Sequence, residues 1–240
     1  MTKEKQEILS SLRKEILLME GFKEPLLTDD TNLGRINEAF PNKVFPFSAL
    51  HEFFCFNPEE VAASSAFIAG LLSSRVSKVA TVVWIGPSIK VFPPSLRWFG
   101  IEPHCVVFLH VKKEKDISWA IHEALTCSSL SAVVGEMPEM SMTASRRFQL
   151  AIEDAGVGCF ILRKNPKNLL TTAVSRWHIQ PLSTKTEKDF PGIGHPRWKV
   201  DLLKVRNGKT GSWNIEWANN GFRYPSKLAV LPDTLHKQIG

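Results

Sequence analysis

Residues 55–62, Cys-Phe-Asn-Pro-Glu-Glu-Val-Ala, stand where a strand–turn–helix unit would bind phosphate. The pattern G-x-x-x-x-G-K-[ST] can be laid over them without gaps, and each essential position then holds the wrong residue type. Cys55 and Glu60 replace glycines that would let backbone N–H groups curl around phosphate oxygens; Val61 replaces the neutralising lysine, and Ala62 the hydroxyl that would hold Mg²⁺. The residues present make a helix start instead. Asn57 is a good N-cap, Pro58 suits the first helical position, and Glu60 follows the cap by three as in a capping box. Glu59 and Glu60 put two carboxylates at the positive end of the helix dipole, where they would repel a triphosphate. The segment reads either as an ordinary capped helix or as a phosphate loop stripped of its chemistry. Both readings exclude ATP, and no cofactor is expected.

Other chemistry is no better supported. There is no G-x-S-x-G, the seven histidines are scattered without metal-ligand spacing, and no pair of carboxylates stands out for acid–base work. His51 reads as a satisfied, semi-buried strand residue. Gly208-Lys209-Thr210 imitates the end of a phosphate loop, but the pattern needs glycine where Leu203 stands, and strand follows rather than helix. No catalytic or metal-binding residue is expected. Four cysteines (Cys55, Cys105, Cys127, Cys159), far apart and mostly in apolar runs, read as buried thiols of a reducing compartment.

The elements that would position these residues alternate. Strands are expected at 50–56, 79–85, 105–111, 131–135 and 157–162. Helices are expected at 58–74, 116–126 and 143–155, with a short helix or turn at 93–99. Near-continuous apolar strands alternating with helices imply a parallel sheet covered on both faces. Further on, strands at 175–181, 196–205 and 212–217 change the character of the chain. In the last two, Trp198, Val200 and Leu202 alternate against Trp213, Ile215 and Trp217 around an Asn-Gly turn, which predicts a hairpin. Residues 3–19 read as an amphipathic helix, 24–44 as a connector, 182–195 as loop and 218–240 as tail. The expected organisation is therefore an N-terminal helix and connector (1–44), a core with its hairpin (45–217) and a tail (218–240).

With 240 residues, 43% of them hydrophobic, the chain can bury a sizeable core. It shows neither a signal-peptide core nor a membrane-length apolar run, so a cytoplasmic protein without membrane partners is expected. The net charge of +6 is uneven: residues 1–162 carry −3 and residues 163–240 carry +9. Such a segment attracts polyanions or an acidic protein surface, unless it is simply a solvated face. Candidate contacts are Arg197, Lys199, Lys204, Arg206 and Lys209 of the hairpin, interleaved with tryptophans as single-stranded DNA binding would need. Arg146 and Arg147 join them, outward-facing on their helix and suited to phosphate or carboxylate. The tryptophans could equally be core, and the helix arginines could pair locally with Glu153 or Asp154.

Several segments together resemble the ImuA family, RecA-like accessory proteins of SOS-induced mutagenesis. They are ALHEF at 49–53, VVWIGP at 82–87, LRWFGIEPHCVVFLHV at 96–111, SAVVGEM at 131–137, MTASRRFQL at 142–150 and PRWKVDLLKVRNGKTGSWNIEW at 196–217. The resemblance implies an α/β fold with a RecA-like core, its mostly parallel central sheet covered by helices, plus an N-terminal helix and a C-terminal β-hairpin. It puts Gly135 where a Walker B acid belongs, with Glu136 displaced by one. It also implies a non-catalytic role in translesion synthesis, with an ImuB-like Y-family polymerase homologue and an error-prone replicative-type polymerase as partners, and RecA and single-stranded DNA as further candidates. Two alternatives are an SOS cell-division inhibitor resembling SulA and a degenerate RecA-like ATPase.

Overall fold

The computed structural model describes residues 33–75, 81–184 and 194–225, with a few helical positions between Lys5 and Ile16. The helix expected over residues 3–19 otherwise lies outside the described residues. Nine strands form one sheet: β1 (Leu50–Cys55), β2 (Thr81–Gly86), β3 (Val106–His110), β4 (Leu130–Glu136), β5 (Gly158–Lys164), β6 (Ser175–Leu182), β7 (Arg197–Val205), β8 (Gly211–Ala218) and β9 (Gly221–Arg223). The order is β3-β2-β4-β5-β1-β6-β7-β8-β9, parallel as far as β6 and antiparallel beyond it. This α/β architecture is consistent with a RecA-like core. The β7–β8 hairpin has the expected register, with Trp198 opposite Ile215 and Val200 opposite Trp213.

Three helices cover the parallel part: α1 (Pro58–Ser73) on one face, α2 (Glu114–Leu125) and α3 (Met142–Ala155) on the other. α3 starts where Ser141 Oγ accepts the Ala144 N–H at 3.1 Å. It stops at Gly156, whose φ of +75° an L side chain would resist. Ile117, Ile121 and Leu125 of α2 and Phe148 and Ile152 of α3 bury against β2, β4 and β5. Close contact is built in at Gly135, where a Cβ would lie 2.4 Å from Ile121 Cδ1. Gly135 is thus small because α2 rests on it.

Two segments do more than expected. Within the connector, Leu33, Ile36, Ala39 and Phe40 are buried in the α1-side core, on two short 3-10 turns (Gly34–Ala39 and Pro41–Lys43). The expected tail begins with strand β9. Its Phe222 packs against Phe67 and Trp217, and the Tyr224 hydroxyl accepts the Ile36 N–H. Sequence periodicity cannot reveal such pieces, because each is too short to show a repeat.

The α1-side core is organised around Trp177, which is fully buried and stacked on Phe53 with ring centroids 6.1 Å apart. His51, expected to be semi-buried, is fully buried between Phe45 and Phe160. Trp177 Nε1–H donates to Ser175 Oγ at 2.6 Å, and His51 Nε2 lies 2.9 Å from the Pro46 carbonyl. A carbonyl only accepts, so His51 carries its proton on Nε2, and Ser175 O–H donates to His51 Nδ1 at 2.6 Å. Burial holds the imidazole neutral, pushing its pKa down from 6.5 to about 4. An unfolded chain binds this proton more readily, so the stabilisation is complete above pH 6.5 and is lost as pH falls towards 4. At ~1.4 kcal/mol per pH unit, the loss between pH 6.5 and pH 5 is about 2 kcal/mol. Urea unfolding of the wild type should show that slope and His51→Gln should flatten it; equal slopes would refute the assignment.

Candidate functional site

The junction between β1 and α1 is two residues long. β1 ends at Cys55 and α1 begins at Pro58, so only Phe56 and Asn57 lie between them. Of the residues laid over the phosphate-loop pattern, Cys55 is strand while Glu60, Val61 and Ala62 are helix. No stretch remains that could curl around an anion. The first turn of α1 is occupied by its own side chains: Asn57 Oδ1 accepts the Glu60 N–H at 2.8 Å, and Glu60 Oε2 accepts the Phe56 N–H at 2.7 Å. Glu60 is buried, and its other oxygen lies 3.1 Å from His178 Nε2, too far off line for a formed hydrogen bond but close enough for electrostatic contact. The carboxylate therefore sits where an anion would approach the helix dipole.

Beside this junction, at the carboxyl ends of β1, β4 and β5, lies a cavity of about 580 Å³. This is where open α/β sheets place ligands. Its walls are mainly apolar: Val61, Ala66, Phe92, Leu96 and Phe99 line it. Its polar lining includes Asn57, Ser65, Ser88, Lys90, Ser95 and Asn165, together with an ion pair of Lys164 Nζ to Glu136 Oε2 at 3.1 Å. Glu136 is only 4% exposed and also accepts Trp84 Nε1–H at 3.3 Å. Its carboxylate is thus bound by two side chains. Burial raises the Cys55 thiol at the cavity's edge to about 11, so it is not a nucleophile at neutral pH. Cys105 and Cys159 are buried as expected, whereas Cys127 is exposed. Among the described residues, no group of three or more His, Cys, Asp or Glu is placed to hold a metal ion, and no helix is long and apolar enough to cross a membrane.

Among the described residues, only one face of the antiparallel wing is covered. Trp198, Val200 and Leu202 of β7 and Ile215 and Trp217 of β8 point into the core with α1, and Trp213 packs against it partly buried. The tryptophans of the hairpin are thus core, and none stands free to stack a base. The other face carries Arg176 and His178 of β6, then Lys199, Asp201 and Lys204 of β7. The seven basic candidates do not form one site. Arg197, at the start of β7, bonds the Ser183 carbonyl and approaches Glu216 to 3.9 Å. Lys199 is paired with Asp201 at 3.1 Å. Lys204 lies seven residues from Arg197, about 23 Å along an extended strand. There Lys204 Nζ donates to the Thr171 carbonyl and Arg206 to that of Thr172. Lys209 is exposed on the hairpin turn, its backbone N–H held by the Ala39 carbonyl.

Arg146 and Arg147 are exposed and do not pair with Glu153 or Asp154; Glu153 instead accepts from Gln149. The backbone just before them is tied to the Lys204–Arg206 end: Thr172, whose carbonyl accepts from Arg206, bonds both Oγ and the carbonyl of Ser145. The structure thus joins Arg146, Lys204 and Arg206 through the β5–β6 loop and leaves Arg197 and Lys199 elsewhere.

Sequence reasoning missed what holds this loop. Arg163 of β5 is fully buried and donates to Glu52 Oε1 at 2.8 Å, to the Asn168 carbonyl at 2.8 Å and to Glu139 Oε2 at 3.4 Å. Arg176 Nε donates to the second Glu52 oxygen at 3.0 Å, and both guanidinium groups lie over the Phe54 ring. The available signal was an arginine ending an apolar strand and a carboxylate inside LHEFF.

No family model matches the chain. Two curated relatives, each named Protein ImuA, come from Caulobacter vibrioides strains NA1000/CB15N and ATCC 19089/CB 15. Each is 29% identical to this chain over 212 residues, covering 81% of this chain and 87% of the relative. The likeness spans most of both sequences, and the chain is similar to the proteins named ImuA over that length.

Proposed function

We propose that this chain is a non-catalytic accessory protein of SOS-induced error-prone DNA synthesis. In this reading it is a cytoplasmic scaffold that recruits an ImuB-like polymerase homologue and, through it, an error-prone replicative-type polymerase. The observation that carries the reading is the two-residue β1–α1 junction with Glu60 lodged in the first turn of the helix. A RecA-like sheet has its natural ligand end there, and here that end offers an apolar cavity over an internal ion pair rather than a phosphate cradle. With no phosphate grip, the remaining work of such a frame is to hold other macromolecules.

Calorimetric titration with Mg-ATP and Mg-ADP tests the first half: no saturable heat is expected at millimolar nucleotide. Co-elution with an ImuB-like protein at low salt tests the second, and a stable complex is expected. Saturable ATP binding that Glu59 or Glu60 substitutions alter would sink the non-catalytic reading. Failure to co-elute would remove the scaffold.

A further inference from the structure

The β5–β6 loop displays two leucines on a rigid base. Leu169 is 54% exposed and Leu170 is 69% exposed. Exposed leucines are common singly, but this pair stands on a loop anchored residue by residue. Asn168 Nδ2 donates to the Met140 carbonyl at 3.3 Å, and Asn168 Oδ1 accepts the Leu170 N–H at 2.9 Å. The carbonyls of Asn168, Leu169, Thr171 and Thr172 accept from Arg163, Arg176, Lys204 and Arg206. The polar side of the loop is spent on the protein, and the apolar side is turned to solvent.

The surroundings extend this pattern. Met142, 46% exposed, begins α3 beside Ser145, whose contacts with Thr172 bring the helix against the loop. Arg146 follows Met142 by four residues, on the same exposed stripe. Across the loop, a β-bulge between Arg176/Trp177 and Lys204/Leu202 leaves Leu203 47% exposed. Among the described residues, no carboxylate forms an ion pair with Arg146, Lys204 or Arg206. Glu52 is fully buried and shared by two arginines, while Glu139 is taken up by Arg163 and the Lys167 and Asn168 N–H groups. Lys204 and Arg206 bond carbonyls, which bring no counter-charge. Burial first, and then the charge of Arg176, hold the Lys204 amine below the usual lysine range; Glu52 opposes them and Arg206 adds to them.

We propose that this surface docks an acidic, apolar segment of a protein partner: its aliphatic side chains cover Leu169, Leu170 and Met142, and its carboxylates meet Arg146, Lys204 and Arg206. The proposal rests on the scaffold reading and gives it a place and a chemistry. Charge complementarity chooses the occupant. Nucleic acid would share the charge but would want flat rings to stack on. The exposed apolar residues of this patch are aliphatic, whereas Phe92, Trp98 and Trp119 are exposed on the 93–99 turn region and on α2. An anchored loop also loses little freedom on binding, which favours affinity.

The test uses the full chain, a labelled synthetic peptide alternating glutamate and leucine, its leucine-to-serine counterpart, and an oligothymidylate. Fluorescence polarisation at low and moderate salt is the readout. The glutamate–leucine peptide is expected to bind saturably. Leu169→Ser/Leu170→Ser and Arg146→Glu should each weaken it roughly tenfold, the scale of a lost interface anchor. All three positions are exposed, so circular dichroism should show unchanged folding. The serine peptide and the oligothymidylate should bind at least ~tenfold more weakly. Absence of peptide binding, or binding that ignores both variants, overturns the proposal. So does tighter capture of oligothymidylate that is lost in Arg146→Glu and kept in the leucine variant, which would mark a nucleic-acid surface. Co-elution separates this failure from that of the scaffold reading: a polymerase-type partner held equally by wild type and the leucine variant refutes the docking site alone, whereas a partner held by neither refutes the scaffold.

Discussion

Glu52→Ala is expected to destabilise the fold by on the order of 3–5 kcal/mol, the range for breaking a buried ion pair from one side. Glu52 is fully buried on β1 between Arg163 and Arg176, themselves 0% and 11% exposed in their side chains. Removing it leaves two guanidinium charges with Glu139 as the nearest remaining carboxylate, 3.4 Å from Arg163 and itself 42% exposed. A loss of this size is comparable with the whole stability of many domains. Because the same arginines hold the Asn168 and Leu169 carbonyls, the β5–β6 loop should loosen as well. Urea unfolding measures the first effect and amide hydrogen exchange at residues 168–172 the second. The double replacement Glu52→Leu/Arg163→Met should recover much of the loss, since apolar side chains of similar volume do not leave a charge unpaired. A single Glu52→Ala variant within ~1 kcal/mol of wild type would show that the network is not structural.

Trp177→Ala should cost a similar ~3–5 kcal/mol, through the transfer and cavity terms of losing a large aromatic side chain. Trp177 touches Phe40, Phe45, Phe53 and Phe67, with ring centroids 5.6–6.1 Å away, and so joins residues from four separate stretches of chain. It also donates to Ser175, the serine that donates to His51. Trp177→Phe separates the two contributions: it keeps most of the packing while removing the N–H, and should cost about 1–2 kcal/mol. Equal losses for alanine and phenylalanine, measured by chemical denaturation, would place the whole effect in the hydrogen bond and refute the packing account.

What could be read from the sequence divides along physical lines. Local rules worked where residues act on near neighbours. Asn57 and Glu60 cap α1, and alternation in the hairpin placed Trp198 and Trp217 inside. The TASRR segment formed a helix with its arginines outward. The start of α1 was legible as well, from Asn57 as cap and Pro58 at the first helical position. Long-range polar pairing was illegible. Glu52 meets Arg163 and Arg176 across more than a hundred residues of chain, and no periodicity signals it. Likewise the basic C-terminal charge looked uniform, yet Lys199 is spent on Asp201 while Lys204 and Arg206 secure a loop. Counting charges could not sort these roles, because each depends on which strand end faces which loop.

The brevity of the β1–α1 connection has a consequence for what change by mutation can reach. A cradle with unsuitable side chains could be repaired one codon at a time, each step testable by selection. A cradle lacking length cannot: swapping Glu60, Val61 or Ala62 for the favoured types would place them inside a helix that has already begun. Gaining triphosphate affinity would take inserted residues and a later helix start at once, with loss of the present caps in between. Whatever this end of the molecule does is therefore insulated from drifting under the control of cellular energy charge.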